Sequence, residues 1–181
     1  MDAEEEWDFH ERFDFVHTRL MNGWGIRSWP NFYKQAFEHM QPGGWVENQE
    51  YDLAFLSDDG TVHADGALMR WTNLWNWGIA NSPYGGSGRC YPDVMRRQMQ
   101  EAGFINVQVR PYKLPIAPWP KDPKLRQAGA FFFTGFLDHI SGLSMRVFTG
   151  TLGWSVEQME VLLMEVRNEC RQRSMHAYCP M

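Results

Sequence analysis

The chain has 181 residues and a formal net charge of −5, so its length suits one domain and its charge argues against a nucleic-acid partner. No run of Lys or Arg exceeds Arg96-Arg97, and no apolar run approaches the ~18 residues that a membrane span needs. The three cysteines, Cys90, Cys170 and Cys179, lack CxxC spacing, which argues against a disulfide framework and a zinc site. We therefore expect a cytoplasmic chain with no metal, no membrane partner and, given its acidic start, no secretory signal.

The first part of the chain has the pattern of a strand, a helix and a second strand. Residues 13–17 alternate apolar and polar residues imperfectly and are short, as a central parallel strand would be. Ser28 is a plausible N-cap, and aromatic residues then recur at helical spacing up to Pro42-Gly43-Gly44, which predicts a helix end and a tight turn. A buried strand is predicted at 45–55. Two parallel strands joined by a crossover helix indicate an α/β fold.

The residues of this unit resemble those of a known family. The run FDFVH at 13–17 and the run QPGGW at 41–45 look like the fourth and fifth strands of class I S-adenosylmethionine (SAM)-dependent methyltransferases of the fungal LaeA-like branch. The succession from Gln100 through Pro115 to Trp119-Pro120 resembles the same branch. This resemblance implies an α/β, Rossmann-like class I methyltransferase fold of which the chain is the C-terminal portion. Residues 1–181 would form one partial domain, with a helical cap inserted at 57–88.

The resemblance also implies a SAM site at the carboxyl ends of the strands, where open α/β sheets bind their ligands. His17, Thr18 and Arg19 would face the methionine part of SAM and the substrate. Asp2 and Ala3 match family positions whose carboxylate and backbone N–H contact adenine, although an acidic chain start is also typical of a merely solvated end. His17 is a candidate general base, because histidine exchanges protons near neutral pH, but a lone histidine is also often structural.

Several polar residues lie on the second predicted strand. Since residues two apart share a face, Glu47 and Gln49 point together, while Glu50 points with Asn48 and Asp52. Polar groups on a strand that is buried on both faces need hydrogen-bond partners or a ligand. We therefore expect Glu50 at the mouth of a pocket, as a second candidate catalytic residue.

The segment at 65–79 carries tryptophans at helical spacing. Leu68, Trp71 and Trp75 fall on one side of the predicted helix, with Trp77 nearby. As a lid, this helix would hold Trp71, Trp75 and Trp77 against a substrate; as a structural helix, it would cover the core. In the resembled family, inserts at this place contribute to the substrate pocket, which favours the lid.

The C-terminal half alternates helices with short extended segments. Helices are predicted at 92–102, at 124–148 and from Ser155, which forms a capping box with Gln158 three residues on. The alternation at 105–109 predicts a strand with one buried face. His176-Ala177-Tyr178 resembles the beginning of the last, antiparallel strand of the family, which we expect to remain incomplete because the sequence ends at Met181.

One part of the family's pattern is missing. The glycine-rich SAM loop and the acidic ribose-binding residue would lie upstream of Asp2. Gly23-x-Gly25 and Gly85-Gly86-x-Gly88 do not replace the loop, because neither clearly follows a buried strand and opens a helix. A glycine-rich turn is needed where the backbone approaches the cofactor closely.

By resemblance, the expected function is methyl transfer from SAM to a small secondary metabolite. Two alternatives stay open. The chain could be a non-catalytic LaeA-like regulator that acts through a protein partner or as a homodimer, in the nucleus as well as the cytoplasm. It could also be a methyltransferase-like fragment that binds ligand without methyl chemistry.

Overall fold

The computed structural model describes residues 3–23, 25–83, 86 and 89–181. They form a mixed α/β structure with small sheets. In chain order, the elements are β1 Phe13–Arg19, α1 Trp29–Glu38, β2 Met40–Gln49, α2 Ala67–Ala80, α3 Pro92–Ala102, β3 Lys113–Pro115, α4 Pro123–Met145 with a following π-helical turn Arg146–Thr151, α5 Val156–Cys170 and β4 Tyr178–Pro180.

The β1–α1–β2 unit is confirmed, with β1 and β2 parallel. The Ser28 hydroxyl accepts a hydrogen bond from the Asn31 backbone N–H, as expected of an N-cap. The second boundary was predicted wrongly: α1 ends at Glu38, and β2 begins at Met40, before the Pro-Gly-Gly run. The ladder pairs Phe13 with Met40 but Phe15 with Trp45, so residues 41–44 bulge from the strand. Gly43, at φ +86°, supplies the left-handed backbone of this bulge.

The chain beyond β2 lies beside the C-terminal strand. Leu56 and Tyr178 form an antiparallel bridge, with N–H to O distances of 2.9 and 2.8 Å. On its other side, β4 pairs antiparallel with β3. The last strand therefore forms, as three residues. The strand predicted at 105–109 does not: Ile105 is 82% exposed, and the alternation there has no ladder partner within the described ranges.

The loop at residues 59–61 holds the segment before β4 through hydrogen bonds to His176. The Asp59 carboxylate lies 2.5 Å from Nδ1 of His176 and accepts a hydrogen bond from the Thr61 hydroxyl, which itself accepts from the His176 backbone N–H. These bonds, His176 first, hold the pKa of Asp59 at about 2, below its ordinary 3.8. The contribution of Asp59 to stability is therefore present above pH 3.8 and is lost as the pH falls towards 2.

Asp59→Asn is accordingly expected to flatten the fall in melting temperature on acidification between pH 3.8 and pH 2. The change should be small, because Asp59 is exposed and such ion pairs contribute little. Thermal melts across this pH range, with the exposed Asp8→Asn as the matched control, measure it. Equal slopes for the two variants would contradict a clamping role for Asp59.

Buried apolar side chains form two clusters. The smaller one packs α1 beneath β1 and centres on Trp29, Phe32 and Tyr33. The larger one joins α2, α4 and α5 and includes the fully buried Trp71 and Phe148. Helix α2 is therefore part of the main core.

The β1–β2 pair is covered on one face. Towards α1, the Asn48 amide donates to the Tyr33 hydroxyl at 2.8 Å. On the opposite face, Phe15 and Trp45 lie side by side, 54% and 68% exposed. Parallel sheets are normally buried on both faces, so this is an unusual apolar surface, called the bare sheet face below.

None of the helices within the described ranges is long and apolar enough to cross a membrane.

Candidate functional site

A buried carboxylate lies at the carboxyl ends of β1 and β2. Glu50 follows β2 directly and is 6% exposed. One of its oxygens accepts from the Met21 N–H at 2.8 Å and the other from the Asn22 N–H at 3.1 Å. Burial raises the pKa of Glu50, against the lowering effect of these two N–H groups. Glu50 thus holds the loop that leaves β1.

The Asn22 side chain extends this network in two directions. Its Nδ2 donates to the Arg89 carbonyl at 2.9 Å, and its Oδ1 accepts from the Trp29 indole N–H at 3.2 Å. Asn22 therefore ties the loop after β1 to α1 and to the segment before α3.

An ion pair fixes the segment before α3. The Arg89 guanidinium donates through Nε and Nη2 to the two oxygens of Asp52, the second bond being 2.9 Å, and this pairing raises the pKa of Arg89. The Cys90 backbone N–H donates to the same carboxylate at 3.3 Å. A bidentate Arg–carboxylate pair is geometrically specific, so residues 89–90 are held beside Glu50 and Asn22.

A cavity of about 20 Å³ adjoins Glu50, enough for one water molecule. Its polar lining includes the Glu50 carboxylate and Asn22. Its apolar walls come from Leu20, Leu53, Trp75 and Leu143. This combination of a buried acid, an amide and apolar walls would suit the polar atom of a small, otherwise apolar molecule.

The structure separates the two candidate catalytic residues. His17 lies on the sheet face opposite α1, where its Nδ1 is 3.0 Å from a Glu47 oxygen and its ring stacks on Phe15. Both members of the His17–Glu47 pair are well exposed. Glu50 is instead buried and bonded to the loop after β1. The two residues therefore do not share one set of contacts.

Thr18 and Arg19 follow the same alternation along β1. Thr18 is buried on the α1 side, where its hydroxyl donates to Asn48 Oδ1 at 2.9 Å. Arg19 is exposed. Because the side chains of a strand point alternately to its two faces, His17 and Arg19 lie on one face of β1 and Thr18 on the other.

The acidic chain start is docked on the fold. Asp2 lies outside the described residues, and the Ala3 carbonyl accepts from the Trp7 indole N–H at 3.1 Å. Glu4 accepts from the backbone N–H groups of Arg27 and Ser28 at 2.7 and 2.6 Å. Although burial opposes the shift, the hydrogen bond from the Arg27 side chain at 2.6 Å, followed by these backbone bonds, lowers the pKa of Glu4. The interpretation of this start as a merely solvated end is wrong for Glu4.

The three candidate substrate-binding tryptophans have different surroundings. Trp71 is fully buried, and its indole N–H donates to the Ser144 hydroxyl at 2.8 Å. Trp75 is 2% exposed, donates to the Leu143 carbonyl at 3.1 Å and lines the cavity. Trp77 is 57% exposed. Of the three, Trp75 is the one that borders the cavity beside Glu50.

Comparison with known proteins gives a consistent result. A family model described as a methyltransferase domain matches residues 1–109. The chain is 33% identical over 176 residues to Methyltransferase pytC of Aspergillus terreus (strain NIH 2624 / FGSC A1156), covering 97% of this chain and 53% of that protein. It is 32% identical over 179 residues to Probable methyltransferase tdiE of Emericella nidulans, covering 99% and 55%.

A further relative is named as a regulator. The chain is 29% identical over 180 residues to Secondary metabolism regulator LAE1 of Cochliobolus heterostrophus, covering 98% of this chain and 57% of that protein. The chain thus spans about half the length of the curated relatives it matches. No solved structure matches it significantly.

Proposed function

Because this chain belongs to the methyltransferase domain family, we propose that it is the C-terminal portion of a Rossmann-like class I methyltransferase acting in secondary metabolism. The proposed reaction is methyl transfer from SAM to a small molecule. The proposed location is the cytoplasm, or the nucleus for a regulatory role of the kind that the name of the LAE1 relative gives to that protein.

The observation that carries this proposal is the position of Glu50. It lies at the carboxyl edge of a parallel β–α–β unit, which is where α/β sheets bind ligands. It is buried there beside a cavity with apolar walls, and it fixes the backbone that leaves β1. The cavity has room for about one water molecule, so it can take at most one polar atom of a small acceptor, whose remaining atoms would lie outside it.

The loop after β1 does not by itself form a SAM cradle. A cradle needs free backbone N–H groups, but those of Met21 and Asn22 bond to Glu50, and those of Arg27 and Ser28 bond to Glu4. The N–H groups of Gly25 and Ile26 are also bonded, to the Met21 carbonyl, so these six N–H groups are not free to bind a cofactor as those of a glycine-rich loop are. We assign this chain the acceptor side of the proposed site, and we assign no reaction step through SAM to its residues.

The His17–Glu47 pair is a separate proposed proton acceptor, in which Glu47 lies 3.0 Å from the His17 ring and can orient it. Because the pair is exposed on the bare sheet face and does not line the cavity beside Glu50, this role requires an acceptor whose reacting atom lies on that face. Glu50 is the proposed positioning group for the loop and the acceptor. Trp75 is the proposed apolar contact for the acceptor.

Calorimetric titration of SAM tests the proposal. We expect micromolar binding by a chimera in which this chain replaces its matched region in Methyltransferase pytC, and much weaker binding by the isolated chain. The matched variant Glu50→Ala in the chimera should bind an acceptor more weakly, whereas Glu47→Ala should leave acceptor affinity unchanged. A folded chimera that does not bind SAM would refute methyl transfer and favour the regulatory alternative.

A turnover assay tests the proton acceptor separately. With labelled SAM and a panel of small phenols, amines and thiols, His17→Ala in the chimera should lower turnover about 100-fold, the scale of general base catalysis. SAM affinity should stay the same, because His17 is not assigned to the donor. An equal loss of SAM affinity would remove His17 from this role.

A further inference from the structure

Helix α4 carries a stripe of small and apolar residues, interrupted by Asp138, on its solvent side. From Ala128 onwards, residues spaced alternately by three and four positions share this side of the helix. Phe131 is 72% exposed and Met145 39% exposed, whereas the neighbouring Phe132 and Phe133 pack against the core. The α4 stripe comprises Ala128, Phe131, Gly135, Asp138, Gly142 and Met145.

Two glycines of this stripe have no packing reason within the chain. A Cβ added at Gly129, on the buried side of α4, would lie 2.3 Å from the Ala117 carbonyl oxygen, so that glycine is required. A Cβ added at Gly135 or Gly142 would meet no described atom within 4 Å. Each glycine in a helix interior costs about 1 kcal/mol relative to alanine. Gly135 and Gly142 therefore lower the stability of α4, and no contact within the described residues requires glycine at either position.

We propose that the α4 stripe is a self-association surface on which the same helix of a second copy docks antiparallel. In a two-fold arrangement, Phe131 of each copy lies over Gly135 of the other, where the absent side chain leaves room for the ring. Both copies contribute the same bulky residue and the same gap. The surface is thus complementary to itself.

The charges on the stripe favour the antiparallel direction. With Phe131 opposite Gly135, Asp138 lies opposite Ala128 of the second copy, one helical turn from that copy's Lys124. Both Lys124 and Asp138 are exposed. A parallel two-fold pair would instead place Asp138 against Asp138, and like charges repel. Two symmetry-related Lys124–Asp138 contacts therefore specify the direction.

The size of the stripe sets the strength of the association. In this register the two stripes overlap from Ala128 to Asp138, about 15 Å at about 1.5 Å per residue, and Gly142 lies opposite Lys124 of the second copy, so the contact is below the size of a standard specific interface. We expect a reversible dimer with a dissociation constant in the micromolar range. This inference goes beyond the proposed function and does not depend on it.

Sedimentation velocity of the full chain, from low micromolar concentrations upwards, tests the proposal. We expect a monomer–dimer equilibrium that Phe131→Asp weakens at least tenfold. Val161→Asp on α5, at a position 56% exposed, is the matched control and should not change it. Circular dichroism should show both variants folded, because both positions are exposed. A monomer at every concentration would overturn the proposal, as would a dimer that is insensitive to Phe131→Asp but weakened by Trp45→Asp.

Two further variants test the geometry. Lys124→Asp and Asp138→Lys should each weaken the dimer, and the double variant should restore it, which a non-specific apolar contact would not show. Gly135→Ala should raise the melting temperature of the monomer while weakening the dimer. If the double variant is as weak as the singles, the antiparallel register is wrong.

Discussion

Replacing Trp71 by alanine is expected to lower the free energy of unfolding by about 3–5 kcal/mol, the cost of removing a large aromatic side chain from a core. Trp71 is fully buried between α2 and α4, where its ring contacts Phe136 at a centroid distance of 5.3 Å. The change also leaves the buried Ser144 hydroxyl without the indole donor, although that hydroxyl keeps its bond to the Ile140 carbonyl. Urea denaturation measures the loss.

Trp77→Ala is the matched control on the same helix. Because Trp77 is 57% exposed, its removal should change stability by less than about 0.5 kcal/mol. Together the two variants separate the roles considered for α2. If Trp71→Ala is nearly neutral, Trp71 is not a core residue, and the lid interpretation of α2 regains support.

Glu50→Ala is expected to cost about 3 kcal/mol, because it leaves two backbone N–H groups without an acceptor, each at about 1–3 kcal/mol. Those groups belong to Met21 and Asn22. Amide hydrogen exchange at these two positions should therefore accelerate more than elsewhere, since the loop after β1 loses its fixed point.

Glu47→Ala is the control for this second variant, because its side chain is about half exposed and pairs only with His17 in the described network. It should be nearly neutral. A Glu50→Ala protein with wild-type stability and unchanged amide exchange at Met21 would show that Glu50 does not hold the loop after β1. That result would also contradict the proposed role of Glu50 in positioning the acceptor.

The β1–α1–β2 unit could be predicted from the sequence because the residue patterns that indicate its strand and its helix are local. Ser28 caps a helix whose aromatic stripe is buried, and the short segment of imperfect alternation after Arg12 forms β1. The Pro42-Gly43-Gly44 run misled the prediction, because a helix end and a bulge need the same residues. The alternation at 105–109 failed for another reason: a strand needs a neighbour, and alternation does not reveal whether one is present.

The candidate site was predictable to a similar extent. Residue parity along the predicted strand grouped Glu50 with Asn48 and Asp52 and led to the expectation of Glu50 at a pocket mouth; in the structure the Glu50 side chain is buried. Its surroundings could not be read from the sequence. Asn22 meets the Arg89 carbonyl across 67 residues, and Arg89 meets Asp52 across 37, and no local pattern links residues so far apart. The same limit applies to Trp71 and Trp75, which share a helical face although only Trp75 reaches the cavity.

The unpaired edge of β1, next to the bare sheet face, has a consequence for the chain at high concentration. Within the described part of the chain, β1 has a ladder partner on one side only, so it offers a row of backbone donors and acceptors beside the exposed Phe15 and Trp45. Such an edge is a template for adding strands from other molecules, and growth of this kind need not close. The charges of Asp14 and Arg19 within β1 oppose it. Solubility should therefore fall when either charge is removed, well before the fold itself is affected.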